Sequence, residues 1–176
     1  MPSQMDDFER LFQTYAMRGS TYPASRIDVL MDLERMGDVR VVPFVLEILG
    51  DPDEPDTVRI HVLKELRSQD LVLSTGDRTS VAKALGDALV DNANEELRLQ
   101  AALALGEFTD IDGVLVRLSA ISLARNESID LRYAAFTSLE RSGPIPECIA
   151  LLRHISSDET LGRCARSVLS AWHIDS

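Results

Sequence analysis

A nine-residue pattern recurs along the chain and restricts it to a helical fold. The pattern is an apolar residue, an arginine, two free positions, two apolar or small residues, two free positions and a leucine. Its apolar positions have the spacing of one helix face, and the alternation of period two that strands require is absent. Complete copies contain Arg59, Arg98 and Arg132, whereas the copies at Arg26 and Gly162 are degenerate. These positions lie 33, 39, 34 and 30 residues apart, which is typical of helical repeat proteins.

A second apolar stretch of helical length follows each of the first four copies. Turns that contain glycine, a common residue after the end of a helix, separate the two stretches. The sequence therefore predicts helix pairs in a single domain over residues 1–176. The predicted units are a cap helix at 4–17, repeats at 24–50, 56–90, 95–124 and 129–156, and a second cap helix at 160–173.

The turn at 37–44, with the sequence GDVRVVPF, is followed by Val58 and Arg59 in the next helix. This combination resembles the short HEAT-like repeat of prokaryotic proteins, and the resemblance covers roughly residues 24–172. It implies an all-α, right-handed α-α superhelix, or solenoid, of about four helix pairs with a capping helix at each end. Such solenoids have many unrelated roles, so the resemblance identifies a fold more specifically than a function.

The resemblance also implies a ladder in which an aspartate of each turn accepts hydrogen bonds from the arginine of the following repeat. The predicted pairs are Asp38 with Arg59, Asp77 with Arg98, and Asp110 or Asp112 with Arg132. At the fourth turn the aspartate is absent, and Gly162 replaces the arginine in the next helix. We expect these pairs to be structural, because a partly buried arginine–carboxylate pair fixes the register between repeats.

In HEAT-like solenoids the second helix of each pair usually lines the concave surface, which makes its polar residues candidates for binding a partner. These candidates are Arg40, Glu47, Lys83, Asp87, Arg117, Arg153 and His154. Several of them are basic, although the chain as a whole is acidic. They predict a locally positive groove for an acidic peptide or another ligand that carries a carboxylate.

The net charge of the 176-residue chain is −11, from 18 basic and 29 acidic residues. This charge disfavours a nucleic acid or an anionic membrane as a partner, because both are negatively charged. Many of the acidic residues precede first helices, where they are expected to cap the helices and to form a negative strip. The start of the chain lacks the pattern of a secretory signal, and Cys148 and Cys164 lie among apolar helical residues. We therefore predict a cytoplasmic protein with structural thiols.

The sequence contains no phosphate-binding loop, dinucleotide fingerprint or nucleophile elbow. The three histidines are far apart, and none has a metal-ligand spacing with a cysteine or another histidine. His61 and Glu65 share a helix face, a spacing more typical of a surface pair than of two ligands. No catalytic residue, metal ligand or cofactor is predicted.

The leading functional hypothesis is a non-catalytic scaffold that binds a partner protein or peptide on its concave face. The alternative from the enzyme class is a subunit like a bilin lyase or isomerase, because the repeats also resemble those of phycobilisome lyases. An absorbance change on mixing with free bilin would test that alternative. A helical-repeat DNA glycosylase is more remote, since it would need a basic groove with aromatic residues. A homodimer through the terminal helices is a separate hypothesis, which sedimentation would test.

Overall fold

The computed structural model describes residues 5–17, 23–69, 71, 73–91 and 94–174. Within these ranges the chain is helical and contains no strand, which confirms the predicted all-α solenoid. The helices are α1 (Asp7–Met17), α2 (Pro23–Arg35), α3 (Val41–Gly50), α4 (Asp56–Ser68), α5 (Thr75–Asp91), α6 (Glu95–Leu105), α7 (Val114–Leu123), α8 (Ile129–Glu140), α9 (Pro146–Ile155) and α10 (Gly162–Ala171), with a short 3₁₀ turn at Gly106–Phe108. Residue 4, where the first cap helix was predicted to begin, lies outside the described residues. The right-handed twist of the superhelix stays a prediction.

The helices succeed one another as a row of antiparallel hairpins. The closest sequential neighbours are α3 with α4, α5 with α6, and α7 with α8, and the ends of the row are formed by α1 with α2 and α9 with α10. These hairpins are offset by one helix from the predicted pairs, because the second helix of each predicted pair packs most closely on the first helix of the next. Across hairpins, α4, α6 and α8 pack side by side, whereas α5 and α7 touch over a shorter length.

One apolar core runs through the whole row, from Phe8 in α1 to Leu169 in α10. Small buried residues allow α6 and α8 to approach closely, since the distance between helix axes depends on the side chains at the contact. These residues are Ala101, Ala102 and Ala104 in α6 and Ala134 and Ala135 in α8. None of the helices in the described ranges is both long enough and apolar enough to cross a bilayer.

Aromatic rings hold the first helix against the repeats. The Phe12 and Tyr15 rings of α1 both meet the Phe44 ring of α3 edge-on, at centroid distances of 5.0 and 5.2 Å. Such contacts add stability beyond the apolar area that they bury. The helix therefore covers the end of the core, as expected for a cap.

The predicted ladder between turn aspartates and arginines of the next repeat does not form. Asp38 pairs with Arg40, Asp77 accepts hydrogen bonds from Ser74, and Asp110 pairs with Arg78. The physical reason is the distance between the turn aspartate and the arginine. The turn lies at the N-terminal end of a second helix, whereas the arginine comes after the C-terminal end of that helix. A helix of ten residues separates these ends by about 15 Å. Asp112 is exposed, and Arg132 pairs with Asp158 instead.

The arginines instead donate to backbone carbonyls at the C-terminal end of the preceding helix in their own hairpin. The bonds are Arg59 Nε and Nη2 to Leu49 O at 3.0 and 2.8 Å, Arg98 Nε to Leu89 O at 2.7 Å, Arg132 Nε to Ser122 O at 2.8 Å, and Arg166 Nη1 to Ser156 O. The last carbonyls of a helix lack intrahelical partners and carry the negative end of its dipole. Each guanidinium therefore closes a hairpin and caps a helix.

Carboxylates from the loop of the following hairpin pair with Arg26, Arg98 and Arg132, whereas Arg59 lies 3.7 Å from Asp56 of its own helix. Arg26 pairs with Glu54 at 2.5 Å and Arg132 with Asp158 at 2.8 Å. The guanidinium of Arg98 donates two hydrogen bonds to Glu127, from Nη1 to Oε2 at 2.8 Å and from Nη2 to Oε1 at 2.5 Å. Three acidic residues of the predicted negative strip, Glu54, Glu127 and Asp158, therefore form ion pairs that join successive hairpins.

The Glu127 pair predicts a specific response to acid. The hydrogen bonds from Arg98 hold the pKa of Glu127 below its ordinary value, which is about 4.3. Its contribution to stability is therefore complete above that value and is lost as the pH falls through the lower value of the folded state. We expect the unfolding free energy of Glu127→Gln to fall less steeply than that of the wild type between about pH 5 and pH 3, as measured by urea denaturation. Glu147→Gln, which changes an exposed residue of α9, is the control and should parallel the wild type.

Candidate functional site

Six of the seven predicted binding residues are exposed on successive second helices. They are Glu47 on α3, Lys83 and Asp87 on α5, Arg117 on α7, and Arg153 and His154 on α9. We call the surface that they share the second-helix surface. Its concave curvature stays a prediction.

Arg40 does not belong to the second-helix surface, which corrects the prediction for this residue. Its guanidinium donates to Asp38 at 2.7 Å and to Asp6 at 2.9 Å. It also lies over the Phe8 ring, 4.3 Å from the centroid, in a cation–π contact. The bonds from Arg40 lower the pKa of Asp38 to about 2. Arg40 therefore holds α1 in place, which its position in the sequence did not reveal because the contact crosses 34 residues.

A groove opens on the second-helix surface where α5 and α7 diverge. Its volume is about 240 Å³, and its polar lining includes Thr79, Lys83, Asp112 and Arg117. Lys83 is already paired, because its Nζ lies 2.9 Å from the Asp87 carboxylate. The exposed Lys83–Asp87 pair has the i, i+4 spacing of an ordinary surface pair.

The guanidinium of Arg117 lies across the backbone of α5 at Gly86. A Cβ atom at residue 86 would be 2.8 Å from Arg117 Cζ, so any side chain there would displace the guanidinium. Within the described residues the side chain of Arg117 has no hydrogen-bond or ion-pair partner. The groove therefore exposes the unpaired guanidinium of Arg117, and the position of this group depends on the absence of a side chain at Gly86. The signal in the sequence was Gly86 itself, since glycine inside a helix costs about 1 kcal/mol relative to alanine.

A second cluster lies between α2 and α4 and combines Glu34, His61 and Glu65. One donor atom from each residue lies within 4.8 Å of the others. The distance from His61 Nε2 to Glu34 Oε1 is 3.4 Å, and the side chains are 16% and 9% exposed. The Glu34 carboxylate raises the pKa of His61 above its ordinary value. The sequence analysis noted His61 and Glu65 from their spacing but interpreted them as a surface pair, and it missed Glu34, which belongs to another helix.

Comparison with known families supports the repeat architecture. The family model of HEAT repeats matches residues 14–106, just over half of the 176-residue chain. The match begins in α1 and extends through α6, so it includes the helix that carries Gly86. The comparison with curated proteins found no match.

Proposed function

Because the chain belongs to the HEAT-repeat family, we propose that it is a non-catalytic scaffold that binds an acidic segment of a partner protein on its second-helix surface. HEAT repeats are commonly protein-interaction scaffolds, since a row of helices exposes an extended binding surface. The family does not name the partner, so the proposal depends on the chemistry of the surface.

The unpaired Arg117 guanidinium is the observation that supports an acidic partner. Its N–H groups can bind a carboxylate through two parallel hydrogen bonds, the geometry that makes arginine specific for such groups. Lys83, paired with Asp87, adds little net charge, so we assign the main electrostatic contact to Arg117. Glu47, Arg153 and His154 would contact flanking parts of the partner, because they lie on helices farther along the same row.

The size of the groove favours a protein segment over an enclosed small molecule. Ligand pockets are typically about 300–1,000 Å³ and mostly apolar, and they bury most of the ligand. The groove between α5 and α7 is about 240 Å³ and is lined by charged groups as well as apolar ones. A peptide can place one acidic side chain in this groove and extend along neighbouring helices.

Peptide binding by the full chain tests the proposal. We expect fluorescence polarisation to detect fluorescein-labelled acidic peptides, with weaker binding in higher salt because the contact is electrostatic. Arg117→Ala should weaken this binding about tenfold, the loss expected for a hydrogen bond between charged groups. Gly86→Ala should also weaken it by displacing the guanidinium, while helix propensity adds up to about 1 kcal/mol of stability.

Two controls separate this result from general charge attraction. Arg163→Ala removes an exposed arginine of α10 and should leave peptide affinity unchanged. Basic peptides of the same length should bind more weakly than the acidic peptides. The proposal is wrong if no acidic peptide binds the folded protein, or if Arg117→Ala and Arg163→Ala reduce binding equally.

We propose a cytoplasmic location for the scaffold as well. Both cysteines are free thiols, with Cys148 buried and Cys164 half-buried, as a reducing compartment allows. Burial raises the pKa of the Cys148 thiol, which makes it less reactive. Labelling of the native protein with a thiol reagent should modify Cys164 faster than Cys148.

A further inference from the structure

We propose that Glu34, His61 and Glu65 bind one divalent transition-metal ion, for which Zn²⁺ is the probe. The site lies between α2 and α4 and is separate from the groove at Arg117. It is independent of the proposed scaffold function, because it uses other residues and another ligand.

The three side chains converge because of how two neighbouring helices pack. His61 and Glu65 are one turn apart on α4 and therefore face the same direction. Glu34 reaches them from the last turns of α2, which packs against α4. Their three donor atoms lie within 4.8 Å of one another, close enough to bind one ion after small side-chain rotations.

Two buried polar atoms in the cluster make no hydrogen bond to any other group. Within the described residues, Glu34 Oε1 and His61 Nε2 are both inaccessible to solvent, and apart from their 3.4 Å contact with each other neither has a hydrogen-bond partner. Burying a carboxylate oxygen without a good hydrogen bond costs free energy. The burial of the Glu34 and His61 atoms therefore requires a physical reason. The Glu34 side chain is only 9% exposed, so bulk water does not solvate most of it.

The distance between these atoms is long for a hydrogen bond and leaves room for an ion that both atoms share. His61 Nε2 and Glu34 Oε1 are 3.4 Å apart, whereas a nitrogen–oxygen hydrogen bond is about 2.7–3.2 Å. Two ligands at about 2.1 Å from a tetrahedral zinc ion lie about 3.4 Å from each other. The observed distance therefore matches one edge of a zinc coordination sphere.

The donor types select the class of metal. An imidazole nitrogen favours zinc and its neighbours in the first transition row over Mg²⁺ and Ca²⁺, which prefer oxygen ligands alone. Two carboxylates would neutralise the charge of a divalent ion. An open depression of about 410 Å³, lined by Glu34 and Glu65 together with Met31, Arg35 and Gly37, borders the cluster. It gives an ion a route from solvent and leaves space for water as a fourth ligand.

Zinc titration of the metal-free full chain, without an affinity tag, tests the site. Competition against a chromophoric chelator should give one Zn²⁺ per chain, and millimolar Mg²⁺ should not displace it. His61→Gln and Glu65→Gln should each weaken zinc binding at least tenfold. His154→Gln and Glu47→Gln are matched controls on exposed residues and should bind zinc as the wild type does.

Cobalt gives a second readout that reports coordination directly. Co²⁺ bound to the wild type should produce visible d–d absorption, and His61→Gln should abolish it while circular dichroism remains unchanged. Glu65 is only partly buried, so Glu65→Gln keeps the test valid if a change at Glu34 or His61 prevents folding. Absence of stoichiometric zinc binding by the wild type would overturn the proposal and leave a simple His61–Glu34 ion pair. Equal losses in the site variants and the controls would also overturn it.

Discussion

Replacing Arg132 with alanine is expected to lower the free energy of unfolding by about 3–5 kcal/mol, as measured by urea denaturation. The Arg132 and Asp158 side chains are only 7% and 5% exposed, so removing the arginine leaves a buried carboxylate without its cation. The substitution also removes the bond from Arg132 Nε to Ser122 O. Arg163→Ala, at an exposed position of α10, is the matched control and should change stability by less than about 0.5 kcal/mol.

A double-mutant cycle with Asp158→Ala measures how strongly the two residues are coupled. Asp158 also accepts hydrogen bonds from the backbone N–H groups of Thr160 and Leu161, so its loss should destabilise the protein even when Arg132 is absent. We nevertheless expect a coupling energy of about 1–3 kcal/mol between Arg132 and Asp158. Additive effects of the two substitutions, within about 0.5 kcal/mol, would show that the pair does not join the last two hairpins.

The second large effect is expected for Gly162→Arg, which restores the residue that the repeated pattern would place there. A Cβ atom at residue 162 would lie 2.5 Å from the backbone oxygen of Ser156, so any side chain forces α10 away from the end of α9. We expect a loss of about 3 kcal/mol in unfolding free energy, at the upper end of the range for overpacking. Increased stability of Gly162→Arg would contradict this account. Ser167→Arg, on the exposed face of the same helix, is the control.

The helices were predictable from the sequence because their apolar residues repeat with a regular spacing. The pattern around Arg59, Arg98 and Arg132 indicated a buried face that recurs once in each repeat, and the structure buries the apolar positions of all three copies. Periodicity reports which face of a helix is buried. It does not report which neighbouring helix covers that face, so the offset between the predicted pairs and the observed hairpins could not be seen.

The partners of the arginines were missed because the ladder implied by the family resemblance agreed with a constant spacing in the sequence, and constant spacing does not establish contact in space. Asp38 and Arg59 are 21 residues apart, as are Asp77 and Arg98, but a whole second helix separates the members of each pair. The true acceptors include backbone carbonyls, which carry no signature in the sequence. The acids that complete the pairs were visible as residues before the first helices, and they were interpreted as helix caps and as a negative strip.

The candidate sites depend on contacts between helices, which explains why only parts of them were predicted. Arg117 was identified as a polar residue of a second helix, but its exposure without a partner depends on Gly86 in a neighbouring helix. Glu34 joins His61 only because α2 packs against α4. Arg40 was predicted to bind a partner and instead contacts Asp6, next to the cap helix, because α1 folds back onto α3.

Nuclear magnetic resonance of the ¹⁵N-labelled full chain, titrated with an acidic peptide that binds it, tests the proposed binding surface most directly. The account predicts that the largest chemical-shift changes occur at residues 79–87 of α5 and 114–120 of α7, and that Arg117→Ala removes them. Changes concentrated on α4, α6 and α8, or changes at α5 and α7 that persist in Arg117→Ala, would contradict it.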